Sequence, residues 1–440
     1  MNRIILIGNG FDLAHNLPTK YENFIDDFWS NKVKAIKEEG SYINFQDGYT
    51  VARNNPISVY KDEDIVIELH NPKSIKANNT SSIPKAIQSF FDREKIKIDM
   101  QFKNKFLRRI MTAYKDKKWV DIEEEYNVAL KNCFNNKDEI DKLNHDFIMI
   151  KIALIEYLNK VVTINNVEKK EKIEESIYSE FNLQDFIEKG RDTIIDEEYE
   201  KLFQLKESAR KQTTKNLSYR TSTLSVYFHH PSFEFKLPKV KADFKKLIMD
   251  EKNVSNFFNL FPRQILFLNF NYTEAENEYI GYQLRVPKES FGYIEIDIEK
   301  EIIHIHGNLN SGKNPIIFGY GDEIGKDYLE IENLNDNRFL ENVKSIKYLE
   351  TNNYKRLLNF IDSDKYQIFI MGHSCGISDR TLLSTLFEHD NCVSIKIFYH
   401  KKEDGTDNFS DVVRNISRNF SNKAVMREKV VNKMDSESLS

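Results

Sequence analysis

Residues 3–7, Arg-Ile-Ile-Leu-Ile, run into Gly8 with four consecutive large apolar side chains and no polar alternation. A strand with one wet face alternates, whereas a strand covered on both faces does not. Such a strand needs neighbours on either side in a parallel sheet and helices above and below it. The neighbours come late in the chain. Runs at 264–270 (QILFLNF), 302–306 (IIHIH), 316–318 (IIF), 366–371 (YQIFIM) and 393–399 (VSIKIFY) are short and apolar, with helical spacing at 337–362, 378–388 and 410–420. Strands alternating with helices imply an α/β fold with a mostly parallel sheet.

Residues 32–261 differ in character, being rich in Lys and Glu with only Gly40, Gly48 and Gly190 among the glycines. Spacing of three and four predicts helices over 84–115, 120–132 and 138–163, and the alternating charge of 168–201 predicts a solvated helical face. The expected organisation is a Rossmann-like nucleotide-binding core of residues 1–31 and 262–425 and a predominantly helical insertion domain at 32–261. The Ser-rich end, 426–440, reads as a flexible tail.

Composition narrows the function. With 64 Lys and Arg against 69 Asp and Glu, the net charge of -5 disfavours a nucleic-acid partner. The basic stretch from Lys206 to Arg220 has no interleaved aromatics and reads as an exposed face. Three cysteines, Cys133, Cys375 and Cys392, form no paired motif, so neither a disulfide framework nor a metal is expected. The first residues have neither the length nor the flanks of a signal peptide or anchor, and the expected location is cytoplasmic, away from membranes.

Glycine is scarce, 15 in 440 residues, about half the usual share. Nine of the fifteen fall in three places: Gly8 and Gly10; Gly307 to Gly325; Gly372 and Gly376. Gly8-Asn9-Gly10-Phe11-Asp12 follows a buried strand and precedes a capping box, Thr19 to Glu22, the order of a nucleotide-binding turn. A carboxylate there repels phosphate unless it points at a ribose or a reacting centre, which makes Asp12 a candidate catalytic group. Asn271 and Thr273 follow a strand end, where open α/β sheets place ligand contacts. Turn chemistry accounts for the asparagine equally well.

His306, before Gly307, is expected in a cleft with a pKa near neutrality. Phe318 to Glu323 reads as a loop that closes over a ligand or as an ordinary turn. Gly372-His373-Ser374-Cys375-Gly376 fits a nucleophile elbow, with Asp390 and His400 in the order a serine hydrolase uses. The competing use is a phosphate or ribose contact by Ser374 at the start of the following helix, which carries Asp379.

ILIGNGFDLAHNLPTKYENF, LNFNYTEAE, IHIHGNL with IIFGYGDE, and IFIMGHSCGISDRTLLSTLFEH occur in an order that closely resembles the AbiH family of bacteriophage abortive infection proteins. That pattern is similar in turn to the sirtuin-like NAD-binding fold. The resemblance implies a sirtuin-like sheet with NAD as substrate or ligand. On it, Gly8 and Gly10 match the phosphate-binding turn, Asn271 the motif asparagine, His306 the His-Gly histidine, and Gly372 with Ser374 the Gly-x-Ser. Asn9, Phe11, Thr273, Gly307, His373 and Asp379 complete the implied cofactor contacts. Thr273 stands where sirtuins have an aspartate, and the sirtuin cysteine module is absent, so deacylation is not implied.

The expected activity is cleavage of the nicotinamide–ribose bond, with Asn271 orienting water or ribose, His306 accepting a proton and Asp12 stabilising positive charge. The alternatives are a nucleotide-binding sensor without turnover, working as a homo-oligomer or with a defence partner, and a serine hydrolase built on Ser374.

Overall fold

The computed structural model describes residues 1–40, 57–69, 84–87, 89, 98–117, 121–164, 167–212, 260–287, 293–309 and 311–439. Its strands are β1 (Asn2–Ile7), β2 (Ile57–Lys61), β3 (Ile65–Leu69), β4 (Ile98–Phe102), β5 (Gln264–Asn269), β6 (Leu284–Pro287), β7 (Tyr293–Ile296), β8 (Glu299–His304), β9 (Tyr366–Met371), β10 (Cys392–Tyr399) and β11 (Glu437–Ser438). Six of them form one sheet in the order β11-β10-β9-β1-β5-β8, and every pairing in it is parallel.

β1 lies inside the sheet with all six residues buried, as its unbroken apolar run requires. The two-residue period of a strand then sorts its side chains. Ile4 and Leu6 join Leu266, Leu268, Ile368 and Ile370 on one face, under the helices Asn353–Ser363, Arg380–Glu388 and Phe409–Arg418. Ile5 and Ile7 join Phe267, Phe369 and Met371 on the other.

That second face is covered by residues from 32–261, which share one apolar cluster with the sheet. Phe147 stacks on Phe318 at 4.9 Å, and the Tyr157 hydroxyl donates to the Pro18 carbonyl at 2.5 Å. The guanidinium of Arg3, fully buried, donates to the carbonyls of Ile177 and Ser179 and lies 4.2 Å from the centroid of Phe369.

Several expectations need correction. The region 32–261 contains an antiparallel sheet, β2-β3-β4, as well as helices. Ile65 and Ile67, two residues apart, are both fully buried, the strand period, and β4 lies within the span 84–115 expected to be helical. The run 316–318 is no strand: Ile317 makes a single ladder-like bond, to the His306 carbonyl, while Phe318 plugs the core. The capping box is not realised, since the helix begins at Tyr21 and the Thr19 hydroxyl donates to Asn9 Oδ1.

The end of the chain is not a loose tail either. β11 pairs with β10 through Phe398↔Glu437, Leu439 is buried, and its N–H donates to Tyr399. One apolar anchor and a short edge strand suffice to hold a segment that composition marks as polar. Of the stretch Lys206 to Arg220, the helix Glu188–Gln212 takes in the first part and the rest lies outside the described residues. Among the described residues no helix is long and apolar enough to cross a membrane.

Candidate functional site

The chain passes from β1 to β5 and β8 on one side, then crosses to β9 on the other, so the sheet reverses direction of growth between β1 and β9. In open α/β sheets ligands bind beyond the carboxyl ends of strands at such a point. The segments that follow β1, β5, β8 and β9 carry the residues singled out above.

The glycines there let two loops meet. A Cβ on Gly8 would stand 2.5 Å from His373 Cα, one on Gly10 2.8 Å from Gly372 Cα, and one on Gly372 2.0 Å from the Phe11 nitrogen. Gly372 also has φ +82°, a conformation that favours glycine. The Gly8 N–H donates to Met371, that of Gly10 to Gly372, and that of Phe11 to Gly8. Three donors expected to face a pyrophosphate are thus engaged by protein carbonyls, and the close approach is between backbones. Phe11 is buried, its ring against His15 at 4.6 Å, and Asn9 is held by Thr19. Gly307, at φ +84°, brings the turn after His306 against the backbone of Pro315 and Ile316.

Two buried polar clusters sit beyond these turns. In the first, Asp12 is 2% exposed; its Oδ2 accepts from the Thr273 hydroxyl at 2.7 Å, and its Oδ1 has no partner. Burial pushes this carboxyl up to about 7, Glu276 adds to the rise, and Thr273 and the nearby Asn271 amide oppose it. Asn271 Nδ2 is likewise buried without a hydrogen-bond partner. The loop is held by Asn269, whose Oδ1 accepts from the Asn271 N–H and whose Nδ2 donates to Glu276 Oε2 at 2.7 Å. Glu276, fully buried, lies 2.9 Å from His304 Nε2. Burial opposes protonation of His304, but Glu276 outweighs it and the pKa rises.

The second cluster centres on Asp379, just before the helix Arg380–Glu388. Its Oδ1 is 3.2 Å from His306 Nε2 and 2.8 Å from Lys344 Nζ, and its Oδ2 is 3.5 Å from His373 Nε2. Lys344, 1% exposed, also reaches Glu123 Oε2 at 2.7 Å, and Glu123 Oε1 accepts from the Gly319 N–H. Burial opposes ionisation of Asp379, yet Lys344 and His306 hold it well below the usual carboxylate range. His373 Nδ1 accepts from the Cys375 N–H at 3.0 Å, which leaves Nε2 as the nitrogen that donates to Asp379. Phe270 separates the two imidazoles, with ring centroids 5.0 Å from His306 and 4.3 Å from His373.

His306 departs from the expected neutrality: burial and then Lys344 lower its pKa to about 4, so it is an uncharged imidazole at neutral pH. The loop after Phe318 is pinned, since Tyr320 exchanges backbone hydrogen bonds with Asn342 and Lys344.

The serine-hydrolase constellation is not assembled. Asp390 precedes β10 and His400 follows it, and eight residues at about 3.3 Å each separate them by roughly 25 Å. Ser374 is exposed, and the positive φ values in its motif belong to Gly372 and Cys375. All three cysteines are buried and unpaired. Among the described residues no group of three or more His, Cys, Asp or Glu is placed to hold a metal.

Sequence reasoning missed Lys344, Glu123, Tyr348 and Glu276. Tyr348 contributes a hydroxyl 3.1 Å from His306 Nε2. Glu123 lies in an acidic run on a helix beginning at Ile122, outwardly a solvated face, and only its partner Lys344, far along the chain, reveals its use.

The family model described as bacteriophage abortive infection AbiH matches residues 4–401. No curated protein and no solved structure matches the chain significantly.

Proposed function

The chain belongs to the AbiH family of bacteriophage abortive infection proteins, and from that premise we propose that its sheet-end site binds NAD and hydrolyses the nicotinamide–ribose bond. What supports the reading is one observation: Asp12 Oδ1 and Asn271 Nδ2 are both buried and neither makes a full hydrogen bond, while the Asn271 amide is near enough to the Asp12 carboxyl to oppose the rise in its pKa. An acceptor and a donor so placed suit a group that is both, which a ribose hydroxyl or an attacking water is. Orphaned buried atoms of this kind call for an occupant.

The chemistry asks little of the protein. Nicotinamide leaves a pyridinium cation as a neutral molecule, taking the electron pair of the broken bond, so no acid is needed for the leaving group. Water forms the new bond to the ribose carbon and gives up a proton. Asp12 takes over the proton-accepting role expected of His306, because its raised pKa suits a base at neutral pH. Asn271 orients the water or the ribose. The neutral His306 is held by Asp379 and Tyr348 and shapes the wall.

Protein incubated with NAD should yield nicotinamide and ADP-ribose, and Asn271→Ala should lower turnover about 100-fold or more by removing the orienting group. Unchanged NAD, or full turnover in Asn271→Ala, overturns the proposal. Turnover should rise with pH through about 7 as Asp12 ionises. Stability runs the other way: a carboxyl with a raised native pKa costs stability progressively from about pH 4 to 7. Asp12→Asn should therefore be inactive yet more stable than wild type at pH 8, with the difference vanishing near pH 4 in urea titrations.

A second reading, binding without turnover, is favoured by the depressed basicity of His306. It predicts NAD binding by calorimetry with no product.

A further inference from the structure

Away from the sheet, the helices Lys105–Lys117, Ile122–Asn132 and Ile140–Ile164 line a half-open cavity of about 190 Å³. Phe106, Ala129, Cys133 and Leu143 give it an apolar lining, and Lys105, Arg109 and Lys142 stand at it against Glu139 and Asp146. Both acids are already engaged. Glu139 pairs with Lys105 at 3.0 Å, and Asp146 Oδ2 accepts from the Lys105 backbone N–H at 2.8 Å. Arg109 is taken by Glu125 at 2.7 Å; Lys142 acts on Asp146 without an ion pair among the described residues, and the Lys105–Glu139 pair is exposed enough to exchange partners at little cost.

A cavity of about 150 Å³ with apolar walls binds a benzene-sized molecule, so the apolar part of this one accepts a ring or a short chain. The cations left to meet a ligand, Lys142 and an exchangeable Lys105, select the charge at the other end. We propose that the cavity is a binding site for a small organic anion with a compact apolar body, its tail against Phe106 and Leu143 and its charge met by Lys142 and Lys105. The site is separate from the sheet-end clusters and does not depend on what those bind.

Cys133 reports occupancy, because it lines the cavity and is 5% exposed while Cys375 and Cys392 are 0% and 1% exposed. Alkylation of the full chain with N-ethylmaleimide at about pH 8.5, read by mass spectrometry, should modify Cys133 first. Millimolar octanoate should slow that modification about fivefold or more, while octylamine should have under about twofold effect. Octanoate should also raise the melting temperature, a readout independent of the thiol, and Lys142→Glu should abolish both effects. The proposal is overturned by octanoate giving neither protection nor a thermal shift, by octylamine matching octanoate, or by both effects persisting in Lys142→Glu.

Discussion

Replacing Lys344 with methionine is expected to destabilise the protein by about 3–5 kcal/mol, because breaking a buried ion pair leaves charge without compensation. The ammonium is 1% exposed and bridges Glu123 and Asp379 at 2.7 and 2.8 Å. Methionine matches its length and fills its volume, so the loss would report charge rather than a cavity. Low pH should relieve part of the cost. Without Lys344 both carboxylates become easier to protonate, so the native state takes up protons that the unfolded chain releases, and the variant recovers as pH falls from 8 towards 5. Adding Glu123→Gln should restore part of the stability at pH 8, and urea midpoints of the two single variants and the double variant measure it. A loss below about 1 kcal/mol at pH 8 would mean that the cluster is solvated, contrary to its burial.

The second large effect is expected at Gly372. An alanine there must hold φ near +82° and would put its Cβ 2.0 Å from the Phe11 nitrogen and 2.5 Å from the Gly10 carbonyl carbon. Left-handed backbone alone costs about 1–3 kcal/mol for such residues. The clash is with backbone that a central strand holds in place, so relief would require the loops after β1 and β9 to part. Gly372→Ala should therefore lose about 3 kcal/mol or more, or fail to accumulate folded. Gly376, four residues on, is the control: a Cβ there would meet nothing nearer than 3.7 Å, at φ -64°. Gly376→Ala should change stability by less than about 0.5 kcal/mol, its reduced unfolded-state freedom offsetting any small loss. Equal behaviour of the two variants in thermal melts would remove the argument for close backbone approach.

How much of this was legible beforehand depends on the range over which each residue acts. β1 and β9 are readable because burial on both faces leaves an unbroken apolar run, and β10 nearly so, with Ser394 and Lys396 as polar interruptions. β11 is unreadable from two residues, since its stability comes from Leu439 and the edge of β10. The scarce glycines mark loops that meet one another, but composition cannot distinguish room for a phosphate from room for another backbone, and here backbone fills the room. Asp12 stands out in sequence as an acid in a glycine turn, and the structure gives it a hydroxyl partner, Thr273. Lys344 and Glu123 carry no local sign, because each is remarkable only for the other. His306 lies against Asp379 and Tyr348, and its basicity is lowered by burial and then by Lys344, which nothing in the His-Gly pair announces.

The placement of β1 governs when a newly made chain can acquire its site. β1 is central, with Ile4 beside Leu266 on one side and Ile368 on the other, and both partners are made long after it. At roughly 5–20 residues per second, about 20–70 s of translation separate β1 from its partner β9. During that interval the edge of β1 is open, Asp12 can meet Thr273 only after β5 emerges, and the Asp379 cluster does not yet exist. Such long-range pairing is slow to form and exposes apolar strands to chaperones or to aggregation while it waits. A ribosome that stalls before residue 366 releases a fragment with neither β9 nor Asp379, so the whole constellation exists only once synthesis has passed Asp379.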